Sequence, residues 1–216
     1  MSTRTISTNA PARRRRRPHV ALRRRRRRRV TLTVAVALLA GLLASVVVPR
    51  LPDLVRELQL PLAHEDIIRQ QASAKELDPS LLAAVIYAES RFRDATSHAG
   101  ARGLMQITPE TARYIARLSG GTRFEQGDLS TPQINISYGA YYLRYLLERY
   151  DDNTILALAA YNGGEGNVDR WLAEASQSRR AFVIDQIPFA ETREYVTKVL
   201  DARTEYRETY PRELGL

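Results

Sequence analysis

The sequence contains no cysteine. Disulfides, thiolate nucleophiles and zinc sites with cysteine ligands are therefore excluded. Histidine is nearly as scarce: His19, His64 and His98 stand far apart along the chain, which argues against a histidine-based metal site. Acidic residues are missing from the first 29 positions, where 13 arginines gather at Arg4, Arg13–Arg17 and Arg23–Arg29. The formal net charge of +9 belongs to that tail. The remainder holds 20 basic and 24 acidic residues and is mildly acidic, so no basic face on the folded part points to specific nucleic-acid recognition. The tail alone keeps the composition to bind phosphate-rich surfaces non-specifically.

Charge is next absent from Val30 to Val48, a run of 19 residues closed by Pro49 and Arg50. At about 1.5 Å per residue a helix of that length spans roughly 28 Å, close to a bilayer's hydrocarbon core. The run exceeds the apolar core of a cleaved signal peptide, and SVVVPRLPDL after it offers no small-x-small cleavage site. It reads as a retained signal anchor; a cleaved segment would instead give a secreted protein. The positive-inside rule keeps the arginines cytoplasmic and puts the chain beyond Arg50 outside. The expected organisation is a basic disordered tail (1–29), a transmembrane anchor (30–48), a linker (49–61) and one globular domain (62–216).

Alternating strand patterns are missing from that domain, and its apolar spacing predicts an all-α fold of short helices. The expected spans are Ala63–Lys75, Pro79–Arg91, Pro109–Leu118, Pro132–Tyr150, Thr154–Tyr161, Glu165–Ser176 and Phe189–Arg207, with loops over Arg91–Ile107 and Ser119–Ser130. Asp78-Pro79, Thr108-Pro109 and Thr131-Pro132 each place a capping residue before a proline at the first helical position. In the helix from Pro79, Leu82, Val85 and Ile86 lie on one stripe that Glu89 continues. Apolar surroundings and the negative end of the helix dipole both disfavour its carboxylate, so its pKa is expected to be raised. A carboxyl that stays protonated near neutral pH suits general-acid catalysis at a glycosidic oxygen. Taken alone, an ordinary glutamate at a helix end remains the competing reading. Asp94, five residues on, is the nearest second carboxylate that a two-acid glycosidase would require. Trp171 shares a stripe with Val168 and Leu172 and reads as core.

Four further patterns follow in order: Glu89-Ser90; Gly100-Ala-Arg-Gly-Leu-Met-Gln106; Ala160-Tyr-Asn-Gly-Gly164; and Ile187-Pro-Phe-Ala-Glu-Thr-Arg193 with Tyr195. Together they resemble the catalytic domain of soluble-type (SLT) lytic transglycosylases, over about Leu60 to Tyr206. The resemblance implies a goose-lysozyme-like fold, peptidoglycan glycan strands as substrate and no metal or organic cofactor. It assigns Glu89 as the single acid/base and Ser90 as a sugar-positioning neighbour. It lines the cleft with Gly103, Leu104, Met105 and Gln106, sets Tyr161 and Asn162 against the reacting sugar, and adds Glu191 and Tyr195 as cleft contacts. Two positions depart from the pattern: Glu165 follows Gly164 where relatives often carry proline, and Arg102 stands where a small residue is common. The implied reaction is cleavage of the MurNAc–GlcNAc β-1,4 bond with a 1,6-anhydro end. A hydrolytic muramidase and a non-catalytic wall-binding protein remain the alternatives, and the sequence identifies no protein partner.

Overall fold

The computed structural model describes residues 58–120, 125–177 and 182–216, together with most of 31–48. The chain divides into two units, Met1–Leu54 and Val55–Leu216. The basic tail and most of the linker lie outside the described residues. Within the apolar run, residues 31–33, 36, 38–45 and 47 are helical, and Leu32, Leu38, Leu39, Leu42 and Leu43 are exposed. Val30, Val34, Ala35, Ala37 and Val46 are outside the description. Among the described residues no helix is long and apolar enough to cross a membrane.

The second unit is all-α among its described residues: α1 (Glu65–Ala74), α2 (Pro79–Ser90), α3 (Pro109–Leu118), α4 (Pro132–Arg149), α5 (Thr154–Gly163), α6 (Glu165–Gln177), α7 (Ala190–Thr209) and α8 (Pro211–Leu214). Expected and observed boundaries agree within two residues, apart from α8, which the sequence reading lacked. The expected loop Arg91–Ile107 contains isolated antiparallel bridges from Arg102 to Thr96 and Ile107. Gln126–Ser130, expected as loop, forms a 3-10 turn, and a second such turn covers Ile184–Gln186.

Helix α2 is the centre of the unit. It packs along α7 on one side and α1 on another, while α5 bridges α4, α6 and α7. Leu81, Leu82, Ala83, Ala84, Val85 and Ile86 are all buried, so α2 is apolar on every face between Leu81 and its last turn. This corrects the single-stripe expectation, because an uninterrupted run of six apolar residues suits a helix with neighbours all round. Trp171 is buried, as its stripe with Val168 predicts.

The predicted caps divide. Asp78 accepts the Ser80 backbone N–H at 2.9 Å and the Thr108 hydroxyl accepts that of Thr111 at 3.0 Å, whereas Thr131 holds the capping position without a side-chain cap bond. Asp78 does more than cap. It also accepts the Ser80 hydroxyl and the guanidinium groups of Arg203 and Arg207 on α7, at 2.6 to 2.9 Å, which fastens the start of α2 to the end of α7. Burial alone would raise its pKa, but the Ser80 hydroxyl, Arg207, Arg203 and the Ser80 N–H outweigh it and hold the carboxyl at about 2. A lowered carboxyl pKa stabilises the fold above the unfolded value and loses that contribution as pH falls through the folded one. Asp78→Ala should therefore cost about 1–2 kcal/mol at pH 7. Urea denaturation of the variant and the parent should differ at pH 7 and converge towards pH 2.

Candidate active site

Glu89 occupies the last turn of α2, which ends when Arg91 takes a left-handed backbone (φ 52°) and returns its N–H to Tyr87 O. Phe92 follows at φ 60°. Two consecutive non-glycine residues in that region turn the chain away sharply and leave Glu89 facing a groove of about 530 Å³. Burial pushes the Glu89 carboxyl up to about 7, opposed by the Tyr195 hydroxyl and by the Lys198 charge. Tyr195 is buried on α7, and its hydroxyl stands near Glu89 without closing a hydrogen bond of ordinary geometry. Lys198 donates to Ala88 O at 2.8 Å, which ties α7 to the peptide just before the acid.

The groove brings together five of the sequence-assigned residues: Glu89, Gln106, Tyr161, Asn162 and Glu191. Gln106 sits at φ 47° with its amide donating to Ala95 O and Gly103 O, both at 2.9 Å, so its conformation is fixed from the loop behind it. Tyr161 donates to Met105 O at 3.0 Å. Asn162 is exposed, and its Oδ1 accepts the Thr192 hydroxyl at 2.8 Å. That bond links the end of α5 to the first turn of α7. Glu191 is exposed in the first turn of α7.

The other five lie behind the lining. The Ser90 hydroxyl is buried and donates to Leu104 O at 2.7 Å, pinning the Gly103–Gln106 loop to α2. Leu104 and Met105 are buried, and the Met105 thioether rests on Gly139, where a Cβ would come within 2.3 Å of the sulfur. At Gly103 (φ 73°) a Cβ would come within 2.2 Å of the Asn135 amide and 2.5 Å of Leu129 O, so only glycine lets the loop approach α4. Tyr195 completes this inner layer. Asp94 is exposed and is not among the groove-lining residues.

Three contributors were missed from sequence. Asn135, buried inside α4, accepts the Met105 N–H at 2.8 Å and donates to Arg102 O and Leu129 O at 2.9 Å. An asparagine within a helix, where propensity disfavours it, was the signal available. Thr192 stands next to a residue that was assigned, and Tyr142, one of 11 tyrosines, carried no distinguishing pattern.

Residues 66–183 match the family described as the transglycosylase SLT domain. The chain is 36% identical over 154 residues to the soluble lytic murein transglycosylase of Escherichia coli K12, covering 70% of this chain and 24% of that protein. Membrane-bound lytic murein transglycosylase C of Cronobacter sakazakii is 33% identical over 171 residues, covering 67% of this chain and 47% of its own length. Among solved structures, the 70 kDa soluble lytic transglycosylase of Escherichia coli superimposes with a TM-score of 0.66 at 37% identity, over 70% of this chain and 25% of that one. An inactive Glu-to-Gln mutant of lytic transglycosylase Slt from Pseudomonas aeruginosa gives 0.63 at 34%, over 71% and 25%. The chain thus spans about a quarter of the length of the soluble relatives it matches.

Proposed function

We propose that this chain, which belongs to the transglycosylase SLT domain family, is a peptidoglycan lytic transglycosylase. It cleaves the MurNAc–GlcNAc β-1,4 bond of glycan strands laid in the Glu89 groove. The observation that carries the reading is Glu89 itself, a groove-facing carboxyl that holds its proton to about pH 7. Glu89 gives that proton to the glycosidic oxygen as the C1–O bond breaks. Positive charge develops at C1 of MurNAc, and the sugar's own N-acetyl oxygen shields it. The resulting Glu89 carboxylate takes the proton of the MurNAc 6-hydroxyl as its oxygen closes on C1. One residue serves as acid and then base because the nucleophile is already part of the substrate. Ser90 and the loop Gly103–Gln106 shape the groove, Tyr161 and Asn162 face the sugar, Glu191 contacts the strand at the rim, and Tyr195 supports the acid from behind.

The same reading makes residues 30–48 a membrane anchor with the domain on the wall side. Its support is the uncharged run and the membrane-bound character that relatives such as the Cronobacter protein carry in their names. The arginine tail then sets topology from the cytoplasmic side.

The test is mass spectrometry of muropeptides released from isolated peptidoglycan by the full-length chain in detergent. Anhydro products, one water lighter than hydrolysis products, are expected. Reducing-end products would replace this reading with a muramidase, and wall binding without release would leave a non-catalytic module.

A further inference from the structure

Beside Tyr161, the groove wall continues into side chains to which the reaction gives no role. Tyr142 on α4 lines the groove with its ring 5.5 Å from that of Tyr161. Tyr145 stacks on Tyr142 at 6.2 Å, and Tyr114 from α3 meets both rings edge-on. The two α4 phenols converge on one carboxylate. Glu165, the first residue of α6, accepts from Tyr142 at 3.2 Å and from Tyr145 at 3.1 Å, and pairs with Arg149 at 3.3 Å. Arg149 passes on to Asp169 at 2.7 Å, which also accepts from Tyr150 at 3.1 Å. Glu165 is, with Arg102, one of the two positions that depart from the pattern the sequence resembles, and it follows Gly164 at φ 87°. The first turn of a helix suits a carboxylate, so here it ties the start of α6 to the tyrosine face of α4.

The two phenols are not equivalent. Tyr145 also shares a 2.9 Å hydrogen bond with the Tyr114 hydroxyl, whereas among the described residues the Tyr142 hydroxyl bonds only to Glu165. Tyr142 is 8% exposed. A buried hydroxyl that loses its acceptor carries the desolvation cost unrepaid, and the groove that Tyr142 lines offers water as a replacement acceptor. Released from Glu165, the ring would be free to turn into the groove it already lines.

We propose that Glu165 is a positioning residue for substrate: by holding the Tyr142 phenol it fixes the width of the groove beside Tyr161 and hence the fit of the sugar ring bound there. The inference takes the groove as the glycan site. Glu165 acts through Tyr142 and touches no reacting atom, so it governs strand affinity and leaves the pH response of Glu89 alone.

Binding of glycan strands to the full-length chain is measured in a Glu89→Gln background, where strands are not consumed, and product analysis of the parent is run separately. Adding Glu165→Ala should weaken strand binding about tenfold. Adding Tyr142→Phe to that variant removes the orphaned hydroxyl and should restore most of the affinity, since Tyr145 keeps Tyr114. Glu165→Gln, which keeps an acceptor oxygen, should stay within about twofold of its background. Unchanged affinity in a folded Glu165→Ala variant, or no recovery on adding Tyr142→Phe, would overturn the clamp. The predicted affinity pattern without anhydro product from the parent would uphold the clamp and remove the transglycosylase reading. No strand binding by the Glu89→Gln background would remove both.

Discussion

Glu89→Gln is expected to leave the protein folded and to slow release of anhydro-muropeptides by roughly 10²–10⁴-fold. The amide matches the carboxyl in size and suits the last turn of α2, but its N–H groups are too weakly acidic to transfer a proton to the departing sugar oxygen. The parent's pH response follows from the same group. Burial raises the carboxyl to about 7, against the lowering effects of Tyr195 and Lys198. Below that value most molecules carry the acid form, and above it the acid form, and with it kcat/KM, falls about tenfold per pH unit. Initial rates from pH 5 to 9 should therefore show a descending limb near 7. That limb should be absent from whatever residual rate the glutamine variant retains. A parent limb near 4.5, or a variant with the parent's rate, would take the acid role away from Glu89.

Much of this frame was legible locally, and the reason lies in where the signals sit. Asp78-Pro79, Thr108-Pro109 and Thr131-Pro132 marked three helix starts because a proline at the first helical position acts within a few residues of itself. Glu89 was legible as a carboxyl with a raised pKa because its own helix carries the apolar positions around it. The inner layer of the site was not, because each of its contacts joins distant stretches. Asn135 meets Met105 across 30 residues, Thr192 meets Asn162 across another 30, and Ser90 turns to Leu104 across 14. Resemblance pointed Ser90 towards the sugar, while the fold spends its hydroxyl on the loop that frames the groove. Glu165 was visible as a departure, yet its partners lie 20 and 23 residues earlier on a helix face that periodicity could not single out. A pattern read along the chain finds residues whose neighbours are their causes, and it misses those whose causes arrive by folding.

The same burial that arms Glu89 has a thermodynamic signature of opposite sign to the activity loss. The carboxyl moves from an ordinary 4.5 to about 7 in the folded protein. Below pH 4.5 both folded and unfolded chains hold the proton, and Glu89 costs nothing. Between 4.5 and 7 the folded chain keeps a proton that the unfolded chain releases, so stability falls as pH rises through that window. It levels off once the folded carboxyl also ionises, after a loss of at most about 3 kcal/mol. Glutamine does not titrate. Glu89→Gln should therefore match the parent near pH 4 and exceed it near pH 8 by up to about 3 kcal/mol, read by urea denaturation of the full-length chains at the two pH values. The Tyr195 hydroxyl can accept from the new amide, which spares the variant a buried donor without a partner. Parallel stability curves for parent and variant would mean that water reaches Glu89 freely in the folded state. The descending limb of the rate profile would then also have to move down towards 4.5, because a single desolvated carboxyl is the source of both effects. A stable, inactive variant at pH 8 beside a less stable, active parent is the pairing expected where a protein gives up stability to keep an acid protonated.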